Sequence, residues 1–462
     1  VQSVVVAMPG FLGGAATFDP LARALVKRGA TDGHAIEVWA IDRRANQLED
    51  LRGMDAAESL GDPEVAAGYY LRRDVTFGGQ RFPGFLDPRD AQYGYMSEWG
   101  LPVTLADLDA VISSIPQPRD HVILMGHSLG ASIVEAYAAW DFAGTPGYQK
   151  LAGLLLVDGV LQATPLTETE YLEGRTGGTI PTTGVTAIRA GGPYYFALPL
   201  IGLRATVLSE IGARRVVQNP DAVVADPYRD NTMRTLLGIP ATPPMTNGAA
   251  LGFALDDQSC PLAFAAMSLG QPVGPVRSQP NPFGAGGPVI VPANATDTYR
   301  WTDAADATPP EFTSLANAAH AWAATPTNFS EWYFATRLTV DAGALPTSLQ
   351  VATGSYQERE RFRAIHGGAI DVPFLGISAA LTGSASVFDG VRTVLTAAVG
   401  TGRPNAGAVR TVDAGFRAMF VPGMSHIDPL TGRDDGTRNP VPGAVAQFAE
   451  GNTAGTVTIA VR

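Results

Sequence analysis

The sequence is poor in charged residues and in cysteine. Only 16% of its 462 residues are charged, whereas 45% are hydrophobic, and the formal net charge is −12. A negative balance without a Lys/Arg cluster disfavours nucleic acid and anionic membrane surfaces as partners. Because Cys260 is the single cysteine, neither an internal disulfide nor a multi-cysteine metal site can form. We interpret Cys260 as a small buried apolar residue and not as a nucleophile.

Several other signals are missing. No apolar run reaches the ~18 residues of a transmembrane helix, so none is expected. The sequence has no H-x-x-x-H, no histidine–carboxylate cluster at ligand spacing and no G-x-G-x-x-G after a strand, which disfavours a metal enzyme and a dinucleotide enzyme. We therefore predict no cofactor. No charged leader precedes "VQSVVVAMPG", so we expect a soluble protein, either cytoplasmic or secreted with its signal removed. The oligomeric state stays open.

Strand and helix patterns alternate near both ends of the chain. The apolar runs "VVVAMPG", "HAIEVWAIDRR", "HVILMG" and "GLLLVDGV" lack polar alternation, which is typical of parallel strands buried on both faces. The rhythm breaks near residue 161 and returns at "VPFLGISAA", a helix near "FDGVRTVLTAAV", the strand "FRAMFVPGMSH", a helix around "PGAVAQFAEG" and a last strand "TVTIAVR". We predict an α/β core from residues 1–160 and 370–462, with a mostly parallel central sheet and helices on both faces. Residues 161–369 would form a large cap or lid insertion.

The stretch "GHSLG" places Ser128 between Gly126 and Gly130, after a strand and before a helix. A sharp turn at the carboxyl end of a parallel strand lifts one side chain into the site and leaves room only for small residues two positions away. The helix that follows directs its positive N-terminal end at developing negative charge. The pattern predicts that Ser128 is a nucleophile.

A serine nucleophile needs a general base and a group that orients that base. Among the six histidines, His426 follows the strand "FRAMFVPGMSH" and therefore lies at the carboxyl edge of the sheet, so it is the predicted base. Asp158, directly after "LLLV", is the favoured acid, and Asp389 is the alternative because no acid follows the strand "VPFLGIS" more closely. The remaining histidines are interpreted as structural or exposed: His34, His121, His127, His320 and His366.

The oxyanion of an acyl-transfer intermediate needs backbone N–H donors. Leu129, directly after the serine, would supply one. The glycine-rich turn "MPGFLGG" after the first strand would supply the other, from Phe11 or Leu12, with Phe11 favoured, because glycines allow close backbone approach.

The segments "PGFLGG", "GHSLG" and "GMSHIDPLTG" together resemble the α/β-hydrolase superfamily, and "SHIDPL" is similar to the histidine loop of acid lipases and related esterases. The resemblance covers the two core blocks. It implies the order nucleophile, acid, histidine and a cap inserted over the site. The sequence departs from the superfamily where its acid usually follows the penultimate core strand, because Ala379 and Ala380 stand there.

These features predict a carboxylic ester hydrolase, similar to esterases and lipases, that acts on apolar, uncharged small-molecule or polymeric substrates through a Ser-His-Asp triad. The same triad would also serve an amide, carbamate or lactone hydrolase. A non-catalytic binding protein on a hydrolase scaffold is the alternative from another class, although Ser, His and the oxyanion glycines are all retained.

Overall fold

The computed structural model describes most of the chain. The described residues are 1–72, 75–77, 80–82, 84, 90–175, 182–196, 204–224, 243–283, 287–324, 327–401 and 411–459.

A six-stranded sheet, entirely parallel, forms the centre of the fold. In chain order its strands are β1 (Ser3–Met8), β2 (Ile36–Ala40), β3 (Val122–His127), β4 (Gly153–Val157), β5 (Phe374–Ser378) and β6 (Phe416–Phe420). Their spatial order is β6-β5-β4-β3-β1-β2. The order reverses between β1 and β3, and ligands of open α/β sheets bind in the crevice at such a switch point.

Alternate residues of the central strands pack on opposite faces of the sheet. Val4 and Val6 of β1 join an apolar cluster on one face, whereas Val5 and Ala7 join a cluster on the other face. All six residues of β1 are buried. This two-sided burial explains why the strand sequences lack polar alternation.

Helices cover both faces, as the sequence predicted. Within the described ranges, the α-helices of eight residues or more are α1 (Asp19–Asp32), α2 (Arg52–Leu60), α3 (Leu101–Ser113), α4 (Leu129–Ala139), α5 (Arg204–Gln218), α6 (Asn247–Leu255), α7 (Leu315–Ala323), α8 (Thr336–Gly343) and α9 (Val441–Asn452). Helices α1 and α9 pack on the Val5 face, and α3 and α4 pack on the Val4 face. The mostly parallel sheet with helices on both faces is thereby confirmed.

The middle segment, residues 161–369, contributes no strand to the central sheet within its described part. It holds α5 to α8 and short antiparallel strand pairs. The pairs are Gly174–Arg175 with Thr182–Thr183, Val223–Val224 with Met245–Thr246, Gly270–Val273 with Arg300–Asp303, and Val276–Gln279 with Val289–Pro292. Several of its buried side chains, such as Trp332 and Phe334, belong to the same apolar cluster as Val4.

Two predicted elements differ from the structure. The helix expected near "FDGVRTVLTAAV" is a 3-10 segment, Ala385–Val394. The last strand expected in "TVTIAVR" is wrong for residues 456–459, which are not a regular strand; residues 460–462 lie outside the described part. Val457 and Val1 instead exchange backbone hydrogen bonds at 2.9 Å, which joins the two ends without adding a strand to the sheet.

Candidate active site

Ser128 occupies a strained turn between β3 and α4. Its backbone has φ 55° and ψ −124°, and α4 begins at the next residue. A Cβ on Gly126 would lie 2.3 Å from the carbonyl oxygen of Gly130, and a Cβ on Gly130 would lie 2.2 Å from that of Met8. Real Cβ atoms are never this close to backbone oxygens, so both positions require glycine. Strain of this kind costs roughly 1–3 kcal/mol and typically marks a functional site.

His426 and Asp158 come together at the same edge of the sheet. Asp158 directly follows β4, and His426 lies in the loop after β6, the histidine loop (residues 421–428). The Nδ1 atom of His426 is 2.7 Å from Oδ2 of Asp158. Both residues are buried, with exposed fractions of 4% and 0%. The contact fixes the ring and leaves Nε2 as the nitrogen available to a reacting group.

The turn after β5 carries no acid; instead, it supplies hydrogen-bond donors to the carboxylate of Asp158. The amides of Ala379 and Thr382 donate to Oδ1 at 2.8 and 3.0 Å, the amide of Leu381 donates to Oδ2 at 3.0 Å, and the Thr382 hydroxyl donates to Oδ1 at 2.6 Å. The position that lacks the expected acid therefore binds the carboxylate of the neighbouring strand. Asp389 lies exposed on the 3-10 segment after β5.

Burial raises the pKa of Asp158. The hydrogen bond and the electrostatic attraction to His426, together with the hydrogen bonds from Thr382, lower this pKa by more. The pKa of Asp158 is consequently well below its usual range. An ionised acceptor at this position stabilises an imidazolium on His426.

His127 is a site residue that the sequence interpretation missed. Its Nε2 donates to the carbonyl oxygen of His426 at 3.0 Å, and the two rings lie 4.5 Å apart between centroids. Burial, and secondly the neighbouring His426, lower the pKa of His127 to about 3. His127 is therefore a neutral hydrogen-bond donor that holds the backbone of the histidine loop.

The loop after β1, the β1 loop (residues 9–14), lies against the serine turn. A Cβ on Gly10 would lie 2.7 Å from Cβ of Ser128, so the backbone passes directly beside Ser128. Among the described residues, no backbone carbonyl accepts from the amides of Phe11 or Leu129. Leu129 directly follows Ser128, and Phe11 lines the same cavity as Ser128, so both predicted oxyanion donors remain candidates.

Ser128 and His426 open into one apolar cavity of about 140 Å³. The core side supplies the β1 loop and Ile427, and the middle segment supplies most of the remaining wall. The wall residues from the middle segment are Thr206, Ser209, Ala254, Leu255, Cys260, Pro261, Leu262, Phe264, Ala265, Phe283, Trp322, Phe329 and Ser330. Trp322 and Phe329 stack with ring centroids 4.2 Å apart.

Cys260 belongs to this wall. It is buried, and burial raises the pKa of its thiol to about 12, so the thiol stays protonated and unreactive at neutral pH. The structure agrees with the interpretation of Cys260 as a small apolar residue.

The remaining histidines lie elsewhere. His34 and His121 bind Ser3 and the Gln2 carbonyl at the opposite end of the sheet, and His366 contacts Asp141 at 3.1 Å. His320 is exposed on α7. Within the described ranges, no group of three or more His, Cys, Asp or Glu residues is arranged to hold a metal ion, and no helix has the length and apolarity needed to span a membrane.

No protein-family model and no curated protein sequence matches the chain. Among solved structures, tomato methylketone synthase I in complex with 2-tridecanone is 11% identical, with a TM-score of 0.33, over 98% of this chain and 100% of that one. A monoglyceride lipase from Saccharomyces cerevisiae is 11% identical, with a TM-score of 0.31, over 99% and 89% of the two chains.

A pyrethroid hydrolase from Sphingobium faniae JZ-2 is 17% identical, with a TM-score of 0.20. The match covers 38% of this chain and 47% of that chain, so this chain spans about half the length of that relative. Likeness at these identities and TM-scores carries no argument about activity.

The fold is instead defined by the chain's own geometry. A parallel sheet carries a serine turn after β3, an aspartate after β4 and a histidine after β6, in the chain order Ser, Asp, His. That combination of sheet order, strained serine turn and residue order is the α/β-hydrolase fold.

Proposed function

We propose that the protein is a serine hydrolase that cleaves carboxylic esters of apolar, uncharged substrates. The observation that carries the proposal is the strained Ser128 turn (φ 55°) in one cavity with His426, whose Nδ1 is 2.7 Å from Asp158.

The chemistry follows from the assigned roles. Nε2 of His426 takes the proton of the Ser128 hydroxyl as Oγ attacks the ester carbonyl. The amides of Phe11 and Leu129 donate to the oxyanion, and Asp158 stabilises the imidazolium. The alcohol then leaves with the proton from His426. Water next gives a proton to His426 and attacks the acyl carbon, and His426 returns the proton to Ser128 Oγ as the carboxylic acid leaves.

The cavity favours a compact apolar group. Its volume of about 140 Å³ is close to the ~150 Å³ cavity that stays dry and binds benzene in another protein. Each methylene buried there contributes roughly 0.8 kcal/mol. We therefore expect the specificity constant to rise with acyl length from acetate to about hexanoate and then to fall.

We further infer that the middle segment acts as the cap of this enzyme and residues 1–160 and 370–462 as its core. In support, the middle segment builds most of the wall of the cavity that holds Ser128, including the Trp322–Phe329 stack. The net charge of −12 gives an anionic substrate little attraction, which agrees with an uncharged substrate.

Labelling with a fluorophosphonate tests the nucleophile. We expect one adduct, on Ser128, that is lost in Ser128→Ala, and hydrolysis of p-nitrophenyl butyrate should fall by several orders of magnitude. Ser132→Ala is the matched control, because Ser132 lies one turn further along α4 and its hydroxyl donates to the Val160 carbonyl. Adducts on another serine, or labelling that persists in Ser128→Ala, would refute the proposal.

A panel of p-nitrophenyl esters from acetate to octanoate, beside matched anilides, tests the substrate class. The proposal predicts a maximum near butyrate or hexanoate and turnover of esters well above that of anilides. A steady decline from acetate onward contradicts the apolar pocket, and faster anilide cleavage would favour an amide hydrolase with the same triad.

A further inference from the structure

A buried arginine binds the carbonyl groups of the β1 loop. Arg43 follows β2 and is 8% exposed. Its Nη2 donates to the carbonyls of Pro9 and, at 3.0 Å, Gly10, and its Nη1 donates to that of Gly13 at 3.1 Å. One guanidinium therefore contacts three carbonyls of the loop.

The charge of Arg43 is balanced by Glu331 of the middle segment. Nη1 of Arg43 lies 2.7 Å from Oε2 of Glu331, and the two side chains are 6% and 3% exposed. Burial raises the pKa of Glu331, and Arg43 works against that rise. Removing either partner would leave the other charge buried and uncompensated, which is strongly destabilising.

The middle segment also holds the β1 loop through its backbone. The amide of Glu331 donates to the carbonyl of Leu12 at 2.8 Å, and the amide of Gly14 donates to the carbonyl of Phe329 at 2.8 Å. The pair Arg43–Glu331 thus lies where core, loop and middle segment meet.

Peptide geometry links Arg43 to the active site. The carbonyl of Gly10 and the N–H of Phe11 belong to one planar trans peptide unit, so they point in opposite directions. Because the Gly10 carbonyl is bound to Arg43, the Phe11 N–H points away from Arg43. The guanidinium, together with the Gly13 amide that donates to the same carbonyl at 3.2 Å, therefore sets the direction of the N–H that we assign to the oxyanion.

We propose that Arg43, neutralised by Glu331, is a positioning residue that orients the Phe11 N–H for oxyanion binding. The inference rests on the proposed function. Arginine suits this task because its planar fork offers five donors in fixed directions, whereas a lysine ammonium acts as a single point charge. Loss of one oxyanion donor costs roughly 10²–10³-fold in turnover, and misorienting that donor should cost part of this.

The test compares Arg43→Lys and Arg43→Met by kinetics and by inhibition with an aryl trifluoromethyl ketone. This ketone adds Ser128 Oγ to its carbonyl, passes the serine proton to His426 and forms a hemiketal oxyanion at the site. We expect kcat for p-nitrophenyl butyrate to fall roughly 10–100-fold, KM to change little, and the inhibition constant of the ketone to rise by the same factor as kcat falls. Arg43→Lys should lose less than Arg43→Met.

Arg44→Met is the matched control. The adjacent Arg44 pairs with Asp107 at the surface and lies over the Trp99 ring, so this variant should keep the kcat and the ketone affinity of the parent. Glu331→Gln keeps the size of the side chain and should lower the melting temperature and weaken ketone binding.

Two results would overturn the inference. One is Arg43→Lys that melts like the parent and keeps parental kcat and ketone affinity. The other is a variant in which kcat falls while ketone affinity stays unchanged, because this would assign the loss to something other than the oxyanion site. Failure of the proposed hydrolase function gives a different result from failure of the inference about Arg43: the parent itself would neither hydrolyse the ester nor react with the fluorophosphonate. If Arg43→Met does not fold, the kcat and ketone affinity of Arg43→Lys and Glu331→Gln test the inference in its place.

Discussion

The two loops beside Ser128 are fixed by groups of opposite charge. The β1 loop presents carbonyls to the Arg43 cation. The histidine loop is held by the buried carboxylate of Asp428, which accepts from the amide of Ser425 at 2.7 Å, the amide of Ser268 at 3.0 Å and the hydroxyl of Thr313 at 2.7 Å.

The two loops need groups of opposite charge because they direct different backbone groups at them: carbonyls in the β1 loop and an N–H in the histidine loop. A loop with free carbonyls needs donors, and a loop with free N–H groups needs acceptors. The choice also decides how each loop responds to pH. A guanidinium keeps its proton at all ordinary pH values, whereas burial raises the pKa of Asp428 to about 6 although Ser268 and Thr313 donate to it.

The largest expected effect on turnover comes from Asp158, the carboxylate that contacts the His426 ring. Asp158→Asn should lower kcat by roughly 10⁴-fold, because an amide in this position favours the wrong tautomer of the histidine. Asp389→Asn, at the exposed alternative, should leave kcat unchanged. Steady-state kinetics with p-nitrophenyl butyrate measures both, and the reverse ranking would reassign the acid to the segment after β5.

Asp428→Asn should have the next largest effect. An amide offers a single acceptor oxygen, and its NH₂ would face either the Ser268 amide, which now donates to Oδ1, or the Ser425 amide, which now donates to Oδ2. The contacts of the histidine loop therefore lose at least one hydrogen bond. We expect kcat to fall roughly 10-fold or more, since a displacement of about 1 Å can cost 10²-fold, together with a lower melting temperature. Asp434→Asn, at an exposed aspartate that pairs with Arg28, serves as control. Parental activity in Asp428→Asn would show that the carboxylate does not position His426.

Stability should depend on pH through the carboxylates near the histidine loop. Burial raises the pKa of Glu311 to about 7, and the neighbouring Asp257 and Asp428 add to the rise. A carboxyl whose pKa is higher in the folded than in the unfolded chain costs no stability below about pH 4 and an increasing amount as the pH rises to the folded pKa. The melting temperature should therefore fall between pH 5 and pH 8.

Glu311→Gln tests this dependence, because glutamine can still accept the hydrogen bond from the Gly270 amide. We expect its melting temperature to match that of the parent at pH 5 and to exceed it by a few degrees at pH 8. The exposed Glu173→Gln should show no such pH-dependent gain. Equal pH slopes for Glu311→Gln and the parent would assign the titration to other groups.

The smallest effect is expected at Cys260, in the wall of the cavity that both loops line. Cys260→Ser should retain turnover within a few-fold, and iodoacetamide should modify the folded parent slowly at pH 8, because the thiol is buried and its pKa is raised to about 12. Abolished turnover with an intact fold would contradict a purely packing role.

The sequence predicted those features that follow from strand order. Runs such as "SVVVAM" and "VILMGH" identify buried parallel strands, and the carboxyl ends of such strands meet at one edge. Ser128, Asp158 and His426 each follow one of these strands, so their convergence could be predicted. Their catalytic roles stay predictions, as do the oxyanion donors.

Features that depend on long-range contacts left no local signal. Arg43 and Glu331 are 288 residues apart, and no spacing rule connects them. The role of His127 depends on a carbonyl 299 residues away. The segment after β5 has a helical pattern but forms 3-10 turns, and three residues near its start, Ala379, Leu381 and Thr382, direct polar groups at Asp158. Tertiary contacts outweigh local propensity there.

The neighbouring imidazoles of His127 and His426 have a consequence for the pH dependence of the rate. Two rings 4.5 Å apart would ordinarily titrate as a coupled pair, with two overlapping steps. Because the pKa of His127 is about 3, this ring takes up no proton near neutral pH. His127 should therefore add no ionisation of its own to the acid limb of log(kcat/KM) against pH.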